Sequence, residues 1–188
     1  MKLLMNHVLD TYKDKRIYLQ AYHPEIYMPF GFKESHRHIL YKLDKAKYCL
    51  PSNICLSQDI CHLYDDYMRY TANFNHYLIR DEDYFNDYLR IRCAAFNDSV
   101  LTFKNEYGQQ GYMIYNDRGK FVYISEFIYN KEYLDDILKT ISVYFYKDIR
   151  IETDCMASIH GEKTDMITMM CNQEDNTPLE KRYINEIY

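Results

Sequence analysis

The sequence contains few of the residues that mark several common protein classes. Among 188 residues there is no tryptophan, and there are only five glycines and four prolines. Few glycines leave few places where backbone amides can approach and hold a phosphate group. No apolar run reaches the roughly 20 residues that cross a bilayer, and no basic-then-apolar signal segment opens the chain. We therefore expect a cytoplasmic protein with no membrane partner.

The charge balance also lacks a basic excess. The chain has 23 lysines and arginines against 28 aspartates and glutamates, so its net charge is −5. Binding to a phosphate backbone needs a basic face, and we expect no nucleic-acid partner. The hydrophobic fraction of 47% is enough to bury a core and is too high for a disordered chain.

The sequence has no pattern typical of a metal site. None of its six cysteines forms a C-x-x-C pair, and without a secretion signal we expect free thiols. His36 and His38 alternate along a predicted strand, but two histidines alone make a poor metal site. We predict that the protein binds no metal.

Hydrophobic periodicity predicts four elements in the first 43 residues. Apolar residues spaced by three and four predict a helix over 1–12, and branched and aromatic residues predict strands over 16–22 and 32–43. Between the strands, Pro24 is well placed to start a helical turn that runs to Phe30 and ends at Gly31.

A second series of elements follows a linker-like stretch. We expect helices capped by Ser57, Asp81 and Asn130, because Ser, Asp and Asn side chains accept from the first amides of a helix. The predicted strands cover 99–104, 112–115, 120–129, 148–153 and 165–171, with a hairpin turn at 116–119. Strands that pair by hairpins and are then followed by a helix predict an α+β fold with helices on the faces of a sheet.

Two sets of residues resemble a known superfamily. The run His23-Pro-Glu-Ile-Tyr-Met-Pro-Phe-Gly-Phe32 resembles the x-x-x-Y-x-x-F-G-F run that closes the acetyl-CoA-binding domain of GNAT acetyltransferases. Later segments resemble the central domain of enhanced-intracellular-survival-type acetyltransferases, which carry two GNAT folds in tandem. These segments are Leu63-Tyr-Asp-Asp-Tyr67, Asn75-His-Tyr-Leu-Ile-Arg-Asp81, Gly111-Tyr-Met-Ile-Tyr115 and Ile124-Ser-Glu-Phe-Ile-Tyr129.

The resemblance implies a domain organisation. Residues 1–45 correspond to the C-terminal part of a first GNAT domain, 46–56 to a linker, and 57–188 to a second, degenerate GNAT-like domain. The implied fold class is α+β, a GNAT-like acyl-CoA N-acyltransferase fold with a mostly antiparallel central sheet flanked by helices, preceded by a partial GNAT unit.

The resemblance also shows what is missing. GNAT enzymes hold the pyrophosphate of acetyl-CoA with an Arg/Gln-x-x-Gly-x-Gly/Ala loop, which in the tandem family lies immediately before the helix that begins at Met1. The equivalent junction of the second unit, 127–133, contains no glycine. We therefore expect acetyl-CoA as the cofactor of a full-length enzyme, assign no cofactor-binding residue, and expect this chain to be truncated and to lack activity by itself.

The resemblance assigns one catalytic residue. In this superfamily a tyrosine on the fourth helix commonly protonates the leaving sulfur, and Tyr27 matches it, with Tyr22 as the next candidate. A phenol suits this role better than a carboxylic acid because it keeps its proton at neutral pH. We expect Glu126 to be a hydrogen-bonded structural acid, and Phe30, Gly31 and Phe32 to be structural.

Two functions remain open at this stage. The first is acetyl transfer to an unidentified primary amine, with a small-molecule or peptide amine as acceptor. The alternative is a non-catalytic module for binding or oligomerisation on a degenerate GNAT fold, which a tyrosine-rich surface would suit. An incomplete sheet in the first unit would expose a strand edge, so we also expect a homo-oligomer.

Overall fold

A computed structural model describes residues 1–43, 48, 52–74, 76–153, 162–171 and 182–183. The helices are α1 (Lys2–Thr11), α2 (Leu63–Thr71), α3 (Leu89–Phe96), which continues from a π-helical turn at Tyr84–Tyr88, and α4 (Leu134–Tyr144). Short 3₁₀ turns cover Pro24–Ile26, Met28–Phe30 and Lys131–Tyr133. The strands are β1 (Ile17–Ala21), β2 (Lys33–Lys42), β3 (Cys55–Ser57), β4 (His76–Tyr77), β5 (Ser99–Asn105), β6 (Gly108–Asp117), β7 (Phe121–Tyr129), β8 (Asp148–Thr153), β9 (Glu162–Cys171) and β10 (Arg182–Tyr183).

Two of the three predicted helix caps are confirmed. The carboxylate of Asp81 accepts a hydrogen bond from the amide of Tyr84 at 2.9 Å, and the side chain of Asn130 accepts from the amide of Glu132 at 3.2 Å. The cap at Ser57 is wrong. Ser57 ends β3, and α2 begins six residues later, after a residue with positive φ, His62.

Eight strands form one mixed sheet in the order β1-β9-β2-β8-β7-β6-β5-β3. Strands β7 and β8 run parallel, and the other neighbours in this sheet run antiparallel. The predicted α+β class, with a mostly antiparallel sheet flanked by helices, is confirmed. A separate parallel pair joins β4 and β10.

The first and last parts of the described chain interleave in this sheet. Strand β9 lies between β1 and β2, with Ile17 opposite Cys171 and Lys33 opposite Met170. Strand β2 then pairs with β8, so the sheet runs without a break from the early strands to the later ones. The expected boundary at 46–56 stays a prediction, because five of its eleven residues, 46, 47 and 49–51, lie outside those described. Strand β3, at the far edge of the sheet, begins inside the expected linker.

The described residues bury two hydrophobic cores of unequal size. The large core joins α2, α3 and α4 to the middle of the sheet, and its centre includes Ile137, Leu138 and Ile141 of α4, which are fully buried. The small core contains Ala21, Phe32, Met169 and Cys171, with partly buried residues of α1 and of the 3₁₀ turns packed against it. None of the described helices combines the length and apolar composition that crossing a membrane would require.

Alternation along the parallel strands separates a core face from a polar face. Val122 and Ile124 of β7 are fully buried, and their register partners Ile149 and Ile151 of β8 lie in the same core. Because neighbouring residues of a strand point to opposite faces, Tyr123 and its partner Arg150 point away from this core. The polar face of β7 and β8 is where a cleft forms.

Candidate functional site

Tyr27 lies between two 3₁₀ turns at the margin of the small core. Its amide donates to the carbonyl of Pro24 at 2.9 Å, and its carbonyl accepts from the amide of Phe30 at 3.0 Å. The half-buried ring meets the ring of Phe32 edge to face, with 6.3 Å between centroids. Within the described residues the Tyr27 hydroxyl makes no hydrogen bond, so it can donate to a ligand.

The residues after Tyr27 have the local structural roles that the sequence predicts. Gly31 ends the second turn with a φ of +86°, a conformation that glycine adopts without steric cost. Its amide donates to the carbonyl of Met28 at 3.0 Å. The side chain of Phe32 is buried in the small core. These contacts fix the backbone on the C-terminal side of Tyr27.

A cleft of about 500 Å³ lies on the polar face of β7 and β8. Its lining brings together residues that are far apart in sequence: Tyr22, which directly follows β1, Leu40 of β2, Tyr123 of β7, and Arg150 and Glu152 of β8. The C-terminal part of α3 closes another side. The cleft therefore contacts both the early strands and the later elements of the sheet.

The acidic part of the cleft is centred on the buried carboxylate of Glu152. The hydroxyl of Tyr123 donates a hydrogen bond to this carboxylate. Burial raises the pKa of Tyr123 well above its ordinary value, and the negative charge of Glu152 raises it further. Burial and Glu152 also raise the pKa of Tyr22. Both phenols therefore keep their protons at neutral pH and can act as hydrogen-bond donors.

The basic part of the cleft consists of guanidinium groups stacked on aromatic rings. The Arg150 guanidinium carbon lies 3.9 Å from the ring centroid of Phe121, and that of Arg118 lies 5.0 Å from the ring centroid of Tyr123. Such stacking holds the plane of a guanidinium while its edge keeps N–H groups for hydrogen bonding.

The turn at the start of α4 does not fit a pyrophosphate. Phosphate binding at a helix start needs backbone N–H groups that point at the ligand. Here the amide of Asn130 donates to the carbonyl of Gln110 at 2.8 Å, and that of Tyr133 donates to the carbonyl of Asn130 at 3.0 Å. The amide of Glu132 is bound by the Asn130 cap. The turn and the first turn of α4 also carry acidic side chains, at Glu132, Asp135 and Asp136.

Glu126 is a buried partner in an ion pair, as expected for a structural acid. The Arg80 Nη1 atom lies 2.8 Å from each of its two carboxylate oxygens, and the Tyr112 hydroxyl donates to it as well. The Arg80 guanidinium carbon lies 4.6 Å from the ring centroids of both Tyr67 and Tyr84. Burial lowers the pKa of Arg80, but the charge of Glu126 together with Tyr112, Tyr84 and Tyr67 outweighs this effect and raises the pKa well above its ordinary value. The role of Glu126 is therefore structural, because its carboxylate binds Arg80 and Tyr112 inside the core.

The structure separates the two tyrosines that the sequence singles out. Tyr22 contributes to the cleft, whereas Tyr27 packs against the small core. Arg118, Arg150 and Glu152 were not predicted from the sequence. For the last two, the signal was their alternation with Ile149 and Ile151, which places both polar side chains on one face of a strand.

The cysteines follow the expectation where the structure describes them. Cys55, Cys61, Cys93 and Cys171 are free thiols. Cys49 and Cys155 lie outside the described residues. Within the described ranges, no group of three or more His, Cys, Asp or Glu side chains is arranged to hold a metal ion.

Comparisons with known proteins relate the chain to one fold. No protein-family model and no curated protein matches the sequence. Among solved structures, a probable N-acyltransferase from Enterococcus faecalis aligns over 90% of this chain and 48% of its own, with a TM-score of 0.64 and 14% identity. A GCN5-related N-acetyltransferase from Anabaena variabilis aligns over 90% and 49%, with a TM-score of 0.65 and 9% identity. Eis1 from Mycobacterium abscessus aligns over 90% and 51%, with a TM-score of 0.58 and 11% identity.

The chain spans about half the length of these structures. Their likeness to it lies in the fold, which includes the mostly antiparallel sheet and the helices on its faces. The fold of this chain is that of the GCN5-related N-acetyltransferases, as its Tyr-x-x-Phe-Gly-Phe run predicted.

Proposed function

We propose that this chain is part of an enzyme that transfers an acetyl group from acetyl-CoA to a primary amine, with Tyr27 as proton donor. The observation that carries the proposal is the placement of Tyr27. In a chain with the N-acetyltransferase fold, the tyrosine of the matching run keeps a hydroxyl that no described residue binds. The packing of Phe32 and the turn at Gly31 hold it in place.

The chemistry assigned to this chain is a proton transfer. When bound, acetyl-CoA supplies the acetyl thioester. The bond between the amine nitrogen and the carbonyl carbon forms while the carbon–sulfur bond breaks, and the amine proton leaves to water. Tyr27 holds a proton at its hydroxyl and donates it to the departing sulfur, and water then returns a proton to the phenolate. General acids of this kind contribute roughly 10²–10⁴-fold to a rate.

We propose that the pyrophosphate of acetyl-CoA binds elsewhere than at the turn before α4, since that turn does not fit it. We propose that another segment of a longer polypeptide holds it. Solved structures of the same fold that are about twice as long as this chain support this view. The intact mass of the protein purified from its natural source tests it, and a mass of 22.9 kDa would contradict it.

The amine acceptor is placed in the cleft on the polar face of β7 and β8. Tyr22 contributes to this cleft, and the turn that leads to Tyr27 begins directly after it. Tyr22 in the wall of the cleft and the proposed proton donor Tyr27 are therefore five positions apart in the sequence. The hydroxyl of Tyr22 and the carboxylate of Glu152 supply polar contacts for an amine.

Tyr27→Phe tests the proposed proton donor in the natural-length protein. We expect its turnover of acetyl-CoA with an amine to fall by about 100-fold or more, because the variant keeps the ring and loses the acidic proton. Tyr107→Phe is the matched control, since Tyr107 is 76% exposed in the turn between β5 and β6. Products should be separated by chromatography and weighed, because the exposed thiols of Cys55 and Cys61 would react with thiol-detecting dyes.

Two outcomes would contradict the proposal. If Tyr27→Phe turns over as fast as Tyr107→Phe, Tyr27 is not the proton donor. If the natural-length protein acetylates no amine in a broad panel, a non-catalytic module on this fold becomes the better explanation.

We also propose that the chain forms a homo-oligomer through the edge of its sheet. Strand β1 ends the strand order and pairs with β9 on one side. Next to it in the chain, Leu3 and Leu4 of α1 are 87% and 64% exposed. A strand edge that no described residue pairs, close to apolar side chains, favours association. A light-scattering mass of one chain across micromolar concentrations would rule this out.

A further inference from the structure

The cleft carries a positive charge in an acidic protein. Its described lining contains the arginines Arg92, Arg118 and Arg150 against the acids Asp98 and Glu152. The formal balance of these residues is therefore one positive charge, while the whole chain carries −5. An acceptor with several ammonium groups would meet this arginine cluster at close range, which is unfavourable in a partly buried site.

Two of the arginines are arranged to bind an anion. Arg118 lies in the turn before β7 and is exposed, and Arg150 lies on β8 and is half buried. Each stacks on an aromatic ring, and neither forms an ion pair with any residue that the structure describes. A guanidinium in a fixed plane matches the two oxygens of a carboxylate, with which it forms paired hydrogen bonds.

The two acidic side chains of the cleft accept hydrogen bonds from other residues of the chain. Asp98 accepts a hydrogen bond from Asn116 at 3.2 Å, and Glu152 accepts one from Tyr123. The carboxylate of Glu152 lines the cleft, and its negative charge attracts an ammonium group. The Tyr22 hydroxyl is electrostatically coupled to the same carboxylate. The cleft thus offers a site for a positive group beside sites for a negative one.

We propose that the cleft binds an amine that also carries a carboxylate, as in an amino acid, with the carboxylate on Arg118 and Arg150 and the amine toward Tyr22 and Glu152. The statement that this amine is the acetyl acceptor rests on the proposed function, whereas the binding itself does not. A polyamine has no group for the two arginines, and the cleft discriminates against it.

Calorimetry with pairs of amines that differ by one carboxylate tests the proposal. The pairs are L-lysine and cadaverine, L-ornithine and putrescine, and L-phenylalanine and phenethylamine, each titrated into the natural protein without acetyl-CoA. In at least one pair the carboxylated member should bind about tenfold tighter or more, the size expected for charge-assisted hydrogen bonds. If no pair shows this preference, the proposal is wrong.

Variants locate the preference in the cleft. Arg118→Gln should remove most of it, and because Arg118 is exposed the variant should fold normally, which circular dichroism checks. Arg150→Gln should do the same, and Arg150→Lys should restore part of the preference by returning the charge without the fork. Arg90→Gln, at an exposed arginine on α3 that does not line the cleft, should keep the full preference. A preference that survives in both glutamine variants would overturn the assignment.

The same titrations separate this proposal from the proposed function. Carboxylate-dependent binding without any acetylation would sustain the binding site and refute the transferase. Acetylation of cadaverine in preference to L-lysine would sustain the transferase and refute the assignment of the carboxylated amine as its acceptor.

Discussion

Removing one member of the buried Arg80–Glu126 pair should destabilise the protein more than removing both. The two side chains are 3% and 2% exposed, so neither charge can be rehydrated when the other is lost. Arg80→Met leaves Glu126 with the bond from Tyr112 as its remaining hydrogen bond among the described residues. Glu126→Leu leaves a guanidinium between two aromatic rings. We expect each single variant to lose about 3–5 kcal/mol of unfolding free energy.

The double variant Arg80→Met/Glu126→Leu removes both charges at once. Its main remaining loss is the acceptor of the Tyr112 hydroxyl, which costs about 1–3 kcal/mol. The double variant should therefore be more stable than either single variant, by several times the error of the measurement. The free energy of unfolding of natural domains is about 5–15 kcal/mol, so each single variant should lose a large part of the stability of the protein.

Urea denaturation followed by far-ultraviolet circular dichroism measures these values, because the chain has no tryptophan to report by fluorescence. The control is the exposed pair of Lys147 and Asp117, whose side chains are 38% and 50% exposed. Its single and double variants should each change stability by about 0–1 kcal/mol. If the Arg80→Met/Glu126→Leu variant loses the sum of the two single losses, the account of the ion pair is wrong.

Three further predictions concern the backbone and the polar contacts around β6 and β7. Gly111→Ala should lower the free energy of unfolding by roughly 4 kcal/mol or more, because a Cβ there would lie 2.1 Å from a backbone oxygen and φ is +132°. Gly108 has open space around it and a φ of +109°, so Gly108→Ala should lower the free energy of unfolding by only about 1–3 kcal/mol, through backbone strain. Similar urea midpoints would contradict the close approach. Asn130→Ala removes the cap before α4 and should lower the free energy of unfolding by about 1–2 kcal/mol, whereas Asn130→Asp should keep most of this stability. Equal losses in the two variants would exclude the cap. Burial raises the pKa of Asp66, so its ionisation is unfavourable in the folded state above pH about 4. The stability of the wild type relative to Asp66→Asn should therefore fall as pH rises from 3.5 to 7, and a pH-independent difference in urea midpoint would refute this.

Local chemistry made much of the fold predictable. Strand β8 lies where alternation placed it, at 148–153, because Ile149 and Ile151 must face the core. Gly31 and Asn130 act at the ends of their elements because their backbone and side-chain chemistry is local. The cap predicted at Ser57 was wrong because serine is also acceptable at the end of a strand. Here Ser57 ends β3, and the next helix begins at Leu63.

Strand order and the cleft could not be predicted in the same way. Which strands become neighbours depends on contacts between distant segments, and periodicity carries no information about them. The cleft combines Tyr22, Glu152 and Arg118 from three separate parts of the chain, so its composition emerges only when β2 is placed beside β8. The resemblance to a known family indicated Tyr27 but not the arginines.

The position of β9 has a consequence for how the protein is made. Strands β1 and β2 leave the ribosome before the strand that separates them, β9, whose first residue, Glu162, follows the last residue of β2, Lys42, by 120 positions. Until then β1 and β2 lack the strand that pairs with both of them, and pairings of such large sequence separation form slowly. Chaperone binding should therefore concentrate on ribosome-bound chains that stop short of residue 162.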